Sequence, residues 1–169
     1  GIDSRLLAFA AKNSGVDFIA CTLGGPHLTR FELERAAKWC AGRGIDHRIL
    51  EFDPLGIEDI RKSGDKRCYL CKKEMLRRLK SFLRPLMDGS NADDFASDRP
   101  GIKALKEAGV LSPLMQAGLD KKAVRSLAER FGIENPGQPS RSCLLTRLGT
   151  ETEINRDVLS AVRYCEQAF

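Results

Sequence analysis

The sequence predicts a doubly wound α/β domain built on a parallel sheet, and three observations predict it. Short apolar runs of strand length, DFIACTL (17–23) and HRILEF (47–52), alternate with segments whose apolar residues recur at helical spacing. A third short run, RPLMDG (84–89), ends at Asp88-Gly89, as the first ends at Gly24-Gly25-Pro26. Strands that alternate with helices and empty into Gly- or Asp-rich loops belong to α/β architectures. Ligands there gather at the carboxyl ends of the strands, so GIDS, Thr22 to Gly25 and DGSNADD mark the functional rim.

The chain opens with Gly1-Ile2-Asp3-Ser4, followed by a helical pattern with Leu6, Leu7, Ala10 and Ala11 on one face. A glycine and small polar residues directly before a helix make an anion site, because free backbone N–H groups and the helix dipole favour negative charge there. The strand that should precede such a turn is not in the sequence, which reads as beginning inside the motif. A helix over about 29–41 follows the first strand, with Thr29 as N-cap, Glu32 three residues on, and Gly42-Arg43-Gly44 as terminator. Residues 54–66 are polar, with one short helical piece at best. Over 68–82 Leu70, Met75, Leu76 and Leu79 line one side of a helix and basic residues the other. SNADDFASDRPG reads as a loop, 102–108 as a helix, and 121–131 as a helix closed by Gly132. GQPSRSCLLTRLG is loop-like, and a last helix runs from about Arg156 to the end.

With 42% hydrophobic and 30% charged residues, the 169-residue chain has the make-up of an ordinary globular protein with one good core. No apolar run approaches the roughly 18–20 residues needed to span a bilayer, so no membrane partner is expected. The start is neither basic nor followed by a cleavage pattern, and the expected compartment is cytoplasmic. A net charge of +5 suits phosphate-bearing ligands without arguing for nucleic acid by itself. Six cysteines, at 21, 40, 68, 71, 143 and 165, sit in a chain too large and core-rich for a disulfide-stapled scaffold. Cys21, Cys40 and Cys165 fall in apolar or helical patterns and read as buried, inert thiols.

The remaining three sit among Arg, Lys, Ser and Pro. RCYLCK (67–72) places Cys68 and Cys71 two residues apart, a half-site that can clamp a metal, run redox chemistry or do neither. Zinc would want four ligands, and His27 and His47 have ordinary places near a turn and a strand start. A [4Fe–4S] cluster can rest on three cysteines with one iron open, and Cys143 is the other cysteine in a polar setting; two unrelated thiols is the competing reading. Arg141 and Arg147 flank Cys143, where positive charge would lower the thiol's pKa. Asp88, Asn91, Asp93 and Asp94 could hold Mg²⁺ or a ribose, or simply cap a solvated turn. Arg99, before Pro100-Gly101, offers a planar fork for carboxylate or phosphate.

GIDSRLL resembles the tail of the Ser-Gly-Gly-x-Asp-Ser loop of the PP-loop ATP pyrophosphatases, with the leading Ser-Gly missing. RCYLCK, DGSNADDFASDRPGIKALKEAGVLSPL, GLDKKAVRSLAERFGI and PSRSCLLTR together, in this order, closely resemble the LarE family of that superfamily. These are sulfur transferases that build the nickel-pincer nucleotide cofactor. The resemblance implies an enzyme that adenylates a carboxylate of a pyridinium dicarboxylate mononucleotide with ATP and Mg²⁺, releases pyrophosphate, and replaces AMP by sulfur. It implies ATP and pyrophosphate contacts from Gly1, Asp3, Ser4, Thr22, Asp88, Gly89, Asn91 and Asp94, and substrate contacts from Arg99 and Arg147. Family members deliver sulfur either from one sacrificial cysteine, at the position of Cys143, or through a [4Fe–4S] cluster on three cysteines. The presence of Cys68 and Cys71 beside Cys143 favours the cluster form. The implied organisation is a nucleotide-binding domain over 1–138, then a sulfur-donor loop and the start of a C-terminal region over 139–169, in a homo-oligomer.

Three other functions fit parts of the pattern. A PP-loop tRNA thiolase also pairs Cys-x-x-Cys with a distant cysteine, but no added RNA-binding module is visible here. An amide-forming PP-loop ligase would leave Cys143 idle, and a non-catalytic nucleotide-binding adaptor would leave the whole rim idle.

Overall fold

The computed structural model describes residues 1–62, 64–83, 85–96, 100–150 and 152–168. In chain order the described elements are α1 (Ile2–Asn13), β1 (Ala20–Gly24), α2 (Arg30–Gly42), β2 (His47–Glu51), α3 (Glu58–Lys62), α4 (Arg67–Phe82), α5 (Ala92–Ala96), α6 (Pro100–Glu107), α7 (Pro113–Gln116), α8 (Lys121–Arg130) and α9 (Arg156–Ala168). Single 3-10 turns lie at Pro54–Gly56 and Leu144–Arg147. The architecture is α/β with parallel strands, and the chain divides into two compact units, residues 1–18 with 72–141 and residues 19–71 with 142–169.

The first unit is mostly helical. α1 packs against α7 and α8, and Ile2, Leu6, Val124, Ala128 and Ile133 are buried. Phe9 stacks on Phe131 with ring centroids 5.3 Å apart. The helix starts earlier than the GIDS pattern suggested: Gly1 is its N-cap, so Asp3 and Ser4 lie in the first turn, where an acidic residue suits the dipole. The third strand expected at 84–89 reduces to one parallel bridge, Met87 to Leu111 (Arg84 lies outside the described residues). Pro85 lacks an N–H for a ladder, and the Asp88-Gly89 turn follows at once. Two residues of the basic face of α4 are engaged locally: Glu74 accepts from Arg77 at 2.7 Å and Arg78 at 3.1 Å. Those bonds, Arg77's first, hold its carboxyl near 2 although burial opposes them.

The second unit carries the parallel pair. β1 and β2 are in register from Ala20 opposite His47 to Gly24 opposite Glu51, and α2 makes the crossover that parallel neighbours require. The start of α2 is the capping box legible in the sequence. The Thr29 hydroxyl accepts the Glu32 N–H at 3.3 Å, and the Glu32 carboxylate accepts the Thr29 N–H at 2.9 Å. Phe52, Ile45, Ile60, Leu144, Leu145, Ile154 and Leu159 are buried, and α9 packs on the 3-10 turn at Leu144–Arg147. Cys40 is buried as expected, but Cys165 is exposed on α9 and Cys21 is half-buried. A helical position shows only that a residue repeats on a turn, and position 165 falls on the outer side.

His27 is 2% exposed, and its ring meets Phe52 edge-on at 5.6 Å. Burial pushes its pKa down, against the pull of Glu32, Asp53 and the Leu23 carbonyl. The folded protein therefore holds a neutral imidazole that the unfolded chain would protonate near 6.5. The stability this confers is present above that pH and is lost as pH falls through the lower, folded value. His47 shifts the same way, chiefly by burial. Denaturant midpoints should thus decline from pH 7.5 to pH 5, and His27→Phe should flatten the decline. Identical slopes for the two proteins would refute the assignment.

Candidate functional site

In the first unit the site forms around the first turn of α1. Asp3 accepts a hydrogen bond from Lys121 Nζ at 2.6 Å on Oδ2 and one from Asn91 Nδ2 at 3.0 Å on Oδ1. Burial works against the Asp3 carboxylate, but the bonds from Lys121 and Asn91 and the charge of Lys121 outweigh it, so its pKa lies below the ordinary value. Asn91 is itself held by a reciprocal cap at the start of α5. Its Oδ1 accepts from the Asp93 N–H at 3.0 Å and the Asp94 N–H at 3.3 Å, while Asp94 Oδ2 accepts the Asn91 N–H at 3.1 Å. SNADDFASDRPG is expected to be a loop, and the short helix within it is signalled by that Asn-x-x-Asp spacing. Asp88 accepts from the hydroxyls of Ser90 at 2.6 Å and Ser112 at 2.7 Å, and Asp93 accepts the Lys121 N–H at 2.9 Å. The acidic residues of the cluster thus shape the turn, and Asn91 is the member that reaches α1. Gly89 lies against the same turn: a side-chain carbon there would stand 2.8 Å from the Ser4 nitrogen.

A cleft of about 120 Å³ opens beside this cluster, lined by Gly1, Asp3, Lys121, Gln138, Ser140 and Arg141 among others. A helix N-terminus, a lysine and an arginine around one small opening suit an anion the size of a phosphate group. Lys121 did not stand out in the sequence, yet a signal exists. A cation at the first position of a helix opposes the dipole, so its placement there calls for a counter-charge, which Asp3 supplies.

The second unit holds the cysteines. Cys68 and Cys71 lie in the first turns of α4, the former exposed and the latter buried. Cys143, half-buried, is the N-cap of the 3-10 turn at Leu144–Arg147. Burial raises its pKa most; the N–H groups of Thr146 and Leu145 oppose this, and the charges of Cys68 and Glu32 add to it. Cys68 and Cys143 are therefore electrostatic neighbours. The expectation that flanking arginines depress this thiol is overturned: desolvation dominates, and Arg147 is engaged with Glu166 at 2.7 Å. The Thr22 hydroxyl, also in this unit, pairs with His47 Nε2 at 2.9 Å. Arg99 lies outside the described residues. Among those residues no group of three His, Cys, Asp or Glu side chains is arranged to hold a single metal ion. The three thiols fit the donor chemistry of an iron–sulfur cluster, whose ligands spread around a larger body than one ion.

No family model matches the sequence. The chain is 32% identical over 98% of its length to an uncharacterized protein of Synechocystis sp., and 29% identical over 99% to an uncharacterized protein of Methanocaldococcus jannaschii. It is 28% identical over 99% of its length to the pyridinium-3,5-bisthiocarboxylic acid mononucleotide synthase of Lactiplantibacillus plantarum. The chain spans 64%, 65% and 63% of these three relatives, less than two thirds of each. Among solved structures it is similar to a predicted subunit of tRNA methyltransferase from Methanocaldococcus jannaschii, with a TM-score of 0.51 and 22% identity. That match covers 76% of this chain and 71% of the other, and the likeness is one of fold.

Proposed function

We propose, from the premise that the chain belongs to the LarE family of PP-loop proteins, that it is an ATP-dependent sulfur transferase acting on a carboxylate of a pyridinium dicarboxylate mononucleotide. The observation that carries this reading is the match, along 99% of the chain, to a synthase whose name specifies a thiocarboxylated pyridinium mononucleotide. In the first half-reaction a substrate carboxylate oxygen attacks the α-phosphorus of ATP and pyrophosphate leaves. The start of α1, Lys121 and Arg141 would take the pyrophosphate charge, and Mg²⁺, when bound, would offset the rest. Asp3 and Asn91 hold Lys121 in place before the nucleotide arrives. Thr22, Asp88, Gly89 and Asp94 are proposed nucleotide contacts, and Arg147 a substrate contact.

The second half-reaction exchanges AMP for sulfur at the activated carbonyl carbon. Cys68, Cys71 and Cys143 would hold a [4Fe–4S] cluster, which supplies a sulfide when bound. A second reading is favoured by the burial of Cys143, which keeps its thiol protonated and protected until needed. There the Cys143 sulfur loses its proton, attacks the carbonyl and expels AMP. Loss of the Cα proton then breaks the Cβ–S bond, leaving a thiocarboxylate product and dehydroalanine at position 143.

Purified protein, reconstituted without oxygen, should convert ATP and the dicarboxylate mononucleotide into AMP, pyrophosphate and a product heavier by sulfur-for-oxygen exchange. Product without iron, with a loss of H₂S from the Cys143 peptide, selects the sacrificial reading. AMP formation only with tRNA, or with ammonia in place of sulfur, would sink both and point to a thiolase or an amide-forming ligase.

A further inference from the structure

Arg67 is 4% exposed, and both terminal nitrogens of its guanidinium donate to backbone carbonyls. Nη1 donates to the carbonyls of Leu145 and Leu148, both at 3.4 Å, and Nη2 to those of Gly149 at 3.4 Å and Thr152 at 3.2 Å. Nε has no partner among the described residues. Keeping a charged group out of water in this way is costly, and an apolar side chain of similar length could fill the space. What the guanidinium offers that such a side chain lacks is a rigid fork that can reach several carbonyls at once.

The position of those carbonyls gives the fork a purpose. The bonded stretch begins two residues after Cys143, whose turn is also anchored by the Leu144 N–H donating to the His27 carbonyl at 2.9 Å. Arg67 itself opens α4, through its own N–H to the Gly64 carbonyl at 3.4 Å, and the next residue is Cys68. Beside it Gly64 meets the same stretch, since a side-chain carbon there would lie 2.8 Å from the Thr150 carbonyl oxygen. One residue thus joins the backbone that carries Cys68 to the backbone that carries Cys143.

We propose that Arg67 is a positioning residue that holds the Cys143 loop against the head of α4, fixing the Cys68–Cys143 spacing. This rests on the reading of the two thiols as parts of one sulfur site, and holds whichever way sulfur is delivered. Lysine at this position keeps the charge but presents it as a point, so it cannot replace the fork.

The test uses the chain without iron and a short bis-alkylating thiol reagent, with products mapped by peptide mass spectrometry. Wild type should give a Cys68–Cys143 bridged product. Arg67→Lys and Arg67→Met should slow bridging by about ten-fold or more, while single alkylation of exposed Cys68 keeps its rate. Buried Cys40 should stay protected in both, which a general loosening would not allow. Bridging within about two-fold of wild type in a variant that still protects Cys40 would overturn the proposal. If both Arg67 variants expose Cys40, Gly64→Ala decides: slower bridging supports the clamp, and an unchanged rate overturns it. A wild type that alkylates at both cysteines without bridging overturns the shared sulfur site, and the positioning role with it.

Discussion

Replacing Cys143 with alanine is expected to lower thiocarboxylate formation by roughly a thousand-fold or more, while pyrophosphate release stays within a few-fold of wild type. In the proposed function the two half-reactions draw on different residues. Asp3, Asn91, Lys121 and the cleft beside them belong to one compact unit, and Cys143 belongs to the other. In the sacrificial reading the variant lacks the donor atom itself, and the neighbouring Cys68 thiol sits on the head of α4 rather than in the Cys143 turn. In the cluster reading the variant loses one of three thiolate ligands and should also lose iron and acid-labile sulfide. Quantifying AMP, pyrophosphate and sulfur product in single turnover separates the cases. Full sulfur transfer by Cys143→Ala would refute both, whereas loss of pyrophosphate release along with it would refute the division of labour between the units.

Gly25→Ala should be the most damaging small change to the fold, costing about 3 kcal/mol or more and lowering Tm by roughly 6–12 °C. A side-chain carbon at Gly25 would sit inside the contact distance of the Phe52 carbonyl oxygen and 2.9 Å from its carbonyl carbon, both backbone atoms. Neither side can yield easily. Phe52 is wholly buried, its N–H donates to the Gly24 carbonyl at 2.8 Å, and its ring packs against His27. A flexible side chain at the point of contact would swing away, but a carbonyl in line with β2 can move only with the strand. Thermal and urea unfolding would measure the loss. A variant melting within a degree or two of wild type would show that the strand shifts freely.

Local features of the chain were legible in its residues. The strand runs at 17–23 and 47–52 and the α2 capping box of Thr29 and Glu32 lie within a residue or a few of the positions their spacing predicts. Helix α8, ended by Gly132 with φ of 62°, was equally clear. Elsewhere one local signal outweighs another. Pro85 and the Asp88-Gly89 turn left one bridge where an apolar run suggested a strand, and the mutual capping of Asn91 and Asp94 made a helix where polar residues suggested a loop. The arginines flanking Cys143 suggested an acidified thiol, but sequence proximity says nothing about burial, and burial raises it.

The sequence by itself determined the alternation of strands and helices, the caps that bound them, and the ordered motifs on which the resemblance to the LarE family rests. Each of these is written in spacings of a few residues. Only the tertiary structure decided that Lys121 and Asn91 converge on Asp3, across separations of 118 and 88 residues, and that Arg67 grips carbonyls 78 to 85 residues away. A hydrogen bond between distant positions leaves no periodicity in either segment. It arises when packing removes both partners from water, so that each must find the other.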